Sequence, residues 1–100
     1  MADEPVSEFA RAVLDVVDAI PRGRVLSYGD VAEMVGVRSP RAVGAVMNRY
    51  GVEVPWHRVL HADGSCARSL VDRQLALLRR EGVAMRDGRV DMRRARWDGR

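Results

Sequence analysis

Between Ser7 and Ile20 the apolar residues Phe9, Val13, Val16, Val17 and Ile20 recur at three- and four-residue spacing, with Glu8, Arg11, Asp15 and Asp18 on the other side. That period predicts an amphipathic helix with a structural role. Pro21-Arg22-Gly23 ends it, and Val25-Leu26 reads as a short extended link. Ser27-Tyr28-Gly29-Asp30 has the Ser-x-x-Asp form of a helix start. The helix it opens runs through Val31, Ala32 and Val35 to Gly36, where a left-handed cap is cheapest for glycine. Ser39-Pro40 opens another, with a capping hydroxyl followed by proline in the first turn. Two short helices about a glycine-bearing turn predict a helix-turn-helix over residues 27–50.

The second of these helices, about Pro40 to Tyr50, has two unlike faces. Val43, Val46, Met47 and Tyr50 form the side that should bury, and Arg41, Gly44, Ala45 and Asn48 form the opposite one. That outer face is nearly smooth. Gly44 weakens a helix by ~1 kcal/mol relative to alanine, so an exposed glycine there points to close approach by a ligand. Readers of the major groove project long polar side chains at base edges, and this face has few.

Beyond Val59-Leu60-His61, the turn Asp63-Gly64 leads into residues 65–69, a hairpin or a loop. Helical spacing returns from Val71 to Glu81 through Val71, Leu75 and Leu78. Residues 83–92 alternate about Asp87-Gly88, the pattern of a small hairpin. The elements add up to one domain over residues 1–100, mainly α with a minor β component.

Charge sharpens the picture. All seventeen basic residues are arginine, and no lysine is present. Residues 1–20 carry five acids against Arg11, a net −4, which leaves +7 on residues 21–100 of the total +3. A basic body with an acidic first helix fits a surface that meets phosphates on one side, although a GC-rich genome also favours arginine. No run approaches the ~18 apolar residues of a membrane span, and the acidic start lacks the basic, apolar pattern of a secretory signal, so the expectation is a cytoplasmic protein, nucleoid-associated in a bacterium. Cys66 is the sole cysteine, which rules out an internal disulfide and argues against a cysteine-based zinc site; no metal or cofactor is expected.

The most specific stretch is Pro55-Trp56-His57-Arg58-Val59. It resembles the Pro-Cys-His-Arg-Val signature of the O6-alkylguanine-DNA alkyltransferases. Ser27-Tyr28-Gly29, Arg41-Ala42-Val43-Gly44 and Leu77-Leu78-Arg79-Arg80-Glu81-Gly82 match further family motifs in the same order, so the resemblance covers about residues 9–82. It implies a winged helix-turn-helix-like fold, as in the C-terminal domain of those enzymes. It also implies a recognition helix in the minor groove of double-stranded DNA, with Tyr28, Arg41, Ala42, Gly44, Ala45 and Asn48 at the DNA. Arg41 would fill the gap left by an everted nucleotide and Tyr28 would turn its phosphate.

Trp56 stands where the enzymes carry their cysteine, and that departure changes the expected function. Dealkylation needs a soft ionisable nucleophile, whereas an indole offers one N–H donor and a flat surface. This pattern is similar to that of the alkyltransferase-like proteins, which bind O6-alkylguanine without repairing it and mark it for nucleotide excision repair. A lesion pocket of Tyr28, Trp56, His57, Arg58 and Arg68 follows from the resemblance, in a protein expected to act as a monomer. The alternative for Trp56 is simple core filling. His57 and Glu81, parts of the enzymes' activating chain, become a hydrogen-bonding post and the partner of that post or of an arginine. Arg58 is expected to tie the signature to the adjacent helix through backbone carbonyls, and Trp97 to pack. Three rivals remain: a weak alkyltransferase working through Cys66, a sequence-specific winged-helix regulator, and a degenerate partner-binding module.

Overall fold

The computed structural model describes residues 6–67 and 71–100. Helix α1 (Glu8–Ala19) is capped by Ser7, whose hydroxyl accepts from the Ala10 N–H at 3.0 Å. It buries Ala10, Val13, Leu14 and Val17, with Ile20 beyond its end. Strand β1 (Leu26–Ser27) leads into α2 (Tyr28–Met34), and here the capping box forms in full. Ser27 Oγ accepts from the Asp30 N–H and Asp30 Oδ2 accepts from the Ser27 N–H, each at 2.9 Å, so two end donors of the helix are satisfied. Helix α3 (Pro40–Tyr50) starts from Ser39, with Pro40 in its first turn. It buries Val43 and Val46, half-buries Met47 and Tyr50, and leaves Arg41, Ala45 and Asn48 exposed.

Two 3-10 turns follow, Gly51–Glu53 and Trp56–Arg58, and then β2 (Val59–Leu60). Strand β2 pairs in parallel with β1, Leu26 opposite Val59 and Ser27 opposite Leu60. The extended link expected at 25–26 is thus half of a long-range ladder. Residues 65–67 hold no strand, and the reading of 65–69 as hairpin or loop resolves, for these three, to loop. The turn at Asp63-Gly64 docks on the distal hairpin instead: Gly64 has φ +84, its carbonyl accepts from the Val90 N–H at 3.1 Å, and a Cβ here would collide with the Val90 carbonyl oxygen.

Helix α4 (Val71–Arg80) precedes the hairpin β3 (Met85–Arg86) and β4 (Arg89–Val90), antiparallel about Asp87 and Gly88, which both take positive φ. A final turn, α5 (Met92–Ala95), brings the chain back so that Trp97 donates its backbone N–H to the Val25 carbonyl and packs against the core of α1, α2 and α3. The apolar interior has two parts. One is built from α1, α2 and α3 with Leu26 and Val59, and the other from Val25, Leu60, Cys66, Leu78, Val83, Val90 and Ala95. Fully burying an aliphatic side chain of this size contributes about 1.5–3 kcal/mol. The β1–β2 ladder sits between the two parts, and the Trp56–Arg58 turn hangs directly from its end. Among the described residues no helix is long and apolar enough to cross a membrane.

Candidate nucleic-acid interface

A cavity of about 420 Å³ opens between the smooth face of α3 and the start of α4. Gly44, Met47 and Asn48 form the α3 wall, and Gly51 and Val52 continue it around the following turn. Trp56 and Tyr28 stand across from Arg73 and Gln74 of α4, with Ala67 completing the lining. The size suits a flat heterocycle with a substituent. Trp56 is only half-buried and faces this space, so it is a wall and not core filler. The Arg73 guanidinium carbon lies 5.8 Å from the centre of the indole, within cation–π range. Val52, 91% exposed, places an apolar side chain in the cavity lining that extends into solvent.

The signature turn points its side chains two ways. Trp56 faces the cavity, whereas His57 and Arg58, expected in the pocket, are absent from its lining and engage Glu81 instead. Glu81 Oε2 meets His57 Nε2 and the Arg58 Nη2 donor at 2.8 Å each, and Oε1 accepts from Arg58 Nε at 3.0 Å and from the Gly23 N–H at 3.4 Å. An ionised carboxylate only accepts, so His57 Nε2 carries a hydrogen. Burial alone would push the Glu81 carboxyl up; the donors from Arg58, His57 and Gly23, with the His57 charge, overcome it and hold the group at about 2. Arg58 also donates through Nη1 to the Ile20 carbonyl at 2.8 Å, at the C-terminal end of α1 where a cation is favoured. Glu81 therefore serves both His57 and Arg58. Arg58 spends one contact on the backbone carbonyl expected of it and two on the carboxylate of Glu81.

Tyr28 lines the cavity with its ring 5.3 Å from that of His61. Burial, and then neighbouring Cys66, raise its pKa, so it is a neutral hydroxyl. Gly44 and Asn48 reach the cavity from α3, Ala45 and Arg41 lie exposed on the same helix, and Ala42 is half-buried. A Cβ built on Gly44 meets nothing within 4 Å, so internal packing does not require glycine there. Arg68 lies outside the described residues.

Of the polar residues in the cavity lining, Arg73 and Gln74 escaped the sequence reading. Gln74 could have been found: it sits three residues after Val71 and four before Leu78, a polar residue in an apolar helical stripe. Arg73 carries no such mark.

Cys66 is no displaced nucleophile. It is 8% exposed among the apolar residues of the second core, and burial raises its pKa, whereas transfer needs a thiolate with a base beside it. Among the described residues no group of three or more His, Cys, Asp or Glu could hold a metal ion.

Residues 8–83 match the DNA binding domain of the 6-O-methylguanine DNA methyltransferases. The chain is 40% identical to the DNA base-flipping protein of Escherichia coli K12 over 101 residues, covering 95% of this chain and 78% of that one. Its fold superposes with TM-score 0.80 on Schizosaccharomyces pombe Atl1 in complex with damaged DNA containing O6-carboxymethylguanine, at 31% identity over 91% of this chain and 95% of the other. On Mycobacterium tuberculosis OGT in complex with DNA the score is 0.70 at 32% identity, with 80% of this chain covering 52% of that one. With the family's DNA-binding fold intact and tryptophan where transfer requires a thiolate, the chain belongs to the alkyltransferase-like, base-flipping proteins of the O6-alkylguanine-DNA alkyltransferase family.

Proposed function

We propose that the protein reads O6-alkylguanine in double-stranded DNA by everting the nucleotide into the cavity beside Trp56, and that it leaves the alkyl group in place. Trp56 on the cavity wall carries this reading, because no thiol is placed to accept an alkyl group while a flat ring and a cation stand ready for a base. Helix α3 lies in the minor groove with its smooth face, Gly44 and Ala45, against the sugar–phosphate wall. Arg41, exposed in the first turn of α3, enters the vacated stack, and Tyr28 at the start of α2 turns the displaced phosphate. Eversion costs a few kcal/mol, less where alkylation has already weakened the pair, so the lesion is favoured before any contact is made. Desolvating the alkyl group against the indole then adds ~25 cal/mol per Å².

Holding the lesion without changing it is useful only as a mark. The family resemblance supports nucleotide-excision-repair proteins as the readers of that mark, with a monomer presenting the bound DNA to them in the cytoplasm. The test is equilibrium binding to matched duplexes holding guanine, O6-methylguanine or a bulkier O6-adduct, at two salt concentrations. Tighter binding of both modified duplexes, a shared salt slope and unchanged lesions afterwards are expected. Equal affinity for all three, or recovery of plain guanine, refutes the reading. Preference for one undamaged sequence would favour a regulator instead, against which the few polar side chains on α3 already speak.

A further inference from the structure

Four arginines from three separate segments meet away from the cavity. Arg22 Nη2 donates to the carbonyl of Arg80, the last residue of α4, at 3.5 Å, and Arg24 Nη1 donates to the Arg94 carbonyl of α5 at 2.6 Å. Arg22, Arg24 and Arg94 also line one shallow concavity, whose other lining residues are glycine or alanine. All four arginines are exposed, and among the described residues none has a carboxylate within ion-pair distance, whereas Arg58, Arg86, Arg89 and Arg96 each have one. A guanidinium carries several N–H donors in a rigid fork, so one carbonyl contact steadies Arg22 and Arg24 and leaves the remaining donors for a ligand. Unpaired like charges repel one another, and a polyanion would relieve that repulsion.

The patch shares no lining residue with the cavity beside Trp56. Helix α4 begins at that cavity, where Arg73 and Gln74 line it, and ends at Arg80, about 10 Å further along its axis. At that end the Glu81 carboxylate holds His57 and Arg58 of the signature turn and also accepts from the Gly23 N–H. Gly23 lines the arginine concavity, which places the concavity behind the turn whose front carries Trp56. A duplex lying along α3 is stiff on the scale of a molecule with extents of 45 × 27 × 21 Å, because the persistence length of DNA is ~150 base pairs. It cannot fold back around the protein to reach this second face.

What the patch would take follows from what it lacks. Protein interfaces centre on aromatic or aliphatic anchors, and the exposed large apolar residues, Met34 and Val52, do not line this concavity. Nucleic-acid interfaces are polar and positively charged, with arginine on phosphate. The exposed face of α1, by contrast, carries Glu8, Asp15 and Asp18, which repel phosphate, so the basic surface is local. We infer that Arg22, Arg24, Arg80 and Arg94 form a second DNA site, which holds the phosphate backbone of a separate duplex segment while α3 holds the first. A protein with two such faces bridges duplexes and can pass from one segment to another without release into solution. This goes beyond lesion reading and does not depend on which base the cavity prefers.

The experiment is a sandwich capture. A short O6-methylguanine duplex, long enough for one protein molecule, is fixed to beads and saturated with protein, and a fluorescent unmodified duplex is then added. Wild-type protein should retain the second duplex at about 50 mM salt and release most of it by about 200 mM. Arg22→Gln/Arg94→Gln should bind the bead duplex within about twofold of wild type and capture about tenfold less of the second duplex. Arg86→Gln/Arg89→Gln removes the same charge from the distal hairpin and should capture as wild type does. No retention by wild type at low salt overturns the inference, even if the variants fail to fold. Equal loss in both double variants also overturns it, because net charge is then the cause. A parallel loss of bead-duplex affinity in Arg22→Gln/Arg94→Gln assigns the patch to the first duplex, again against the inference. Displacement of the second duplex by poly-glutamate at a lower charge concentration than by unlabelled DNA assigns the patch to an acidic protein and likewise refutes it.

Discussion

Replacing Glu81 by glutamine keeps the side chain's shape and removes the charge that three donor groups share. In the folded protein the carboxyl is held at about 2 against an ordinary 4.5, a gap of roughly 3 kcal/mol before screening. The side chains of Arg58 and His57 stay 15% and 13% exposed, so water offsets part of this and about 2 kcal/mol is the expected loss at pH 7. With a urea slope of about 1–1.5 kcal/mol per molar for a domain of this size, the unfolding midpoint should fall by roughly 1.5–2 M. Circular dichroism in urea measures it. The sign with pH follows from the depressed value: the carboxylate's contribution is complete above about 4.5 and disappears as pH falls through about 2. Wild type and Glu81→Gln should therefore differ fully at pH 7 and at pH 5.5, and converge toward pH 2. A midpoint difference under 0.5 M at pH 7, or one that persists unchanged at pH 2, would refute the account of this network.

Gly44→Ala should separate folding from binding: with nothing near the added methyl, the free protein should gain up to ~1 kcal/mol in thermal or urea unfolding, while affinity for an O6-methylguanine duplex falls because the methyl meets the groove wall. Arg41→Ala should weaken binding to that duplex by ~1–3 kcal/mol in a fluorescence-anisotropy titration, and unchanged affinity would exclude the wedge. Gly64→Ala should destabilise the protein by ~2 kcal/mol or more, read as a lower melting temperature, because the methyl strikes the Val90 carbonyl and the backbone there is left-handed.

The starts of α2 and α3 were legible because Ser27 and Ser39 cap as their spacing foretells, and α1 because its apolar stripe is regular. The pairing of Leu26 with Val59 was not, since a two-residue parallel ladder across 33 positions leaves no local period. The same limit applies to the site. Motif resemblance leads to Trp56 and Tyr28, but which way a short turn aims its side chains depends on the partner each finds. His57 and Arg58 turn to Glu81, 24 and 23 positions away, and so leave the cavity wall to Arg73 and Gln74.

The turn at Trp56–Arg58 separates fastening from chemistry within three residues. Its anchors are the Glu81 carboxylate, the Ile20 carbonyl and the Gln74 amide, and each is hydrogen-bonded to His57 or Arg58 rather than to Trp56. The side chain at position 56 can therefore change in a lineage with the mooring behind it undisturbed. Within such a socket, loss of an enzymatic activity need not entail loss of the protein.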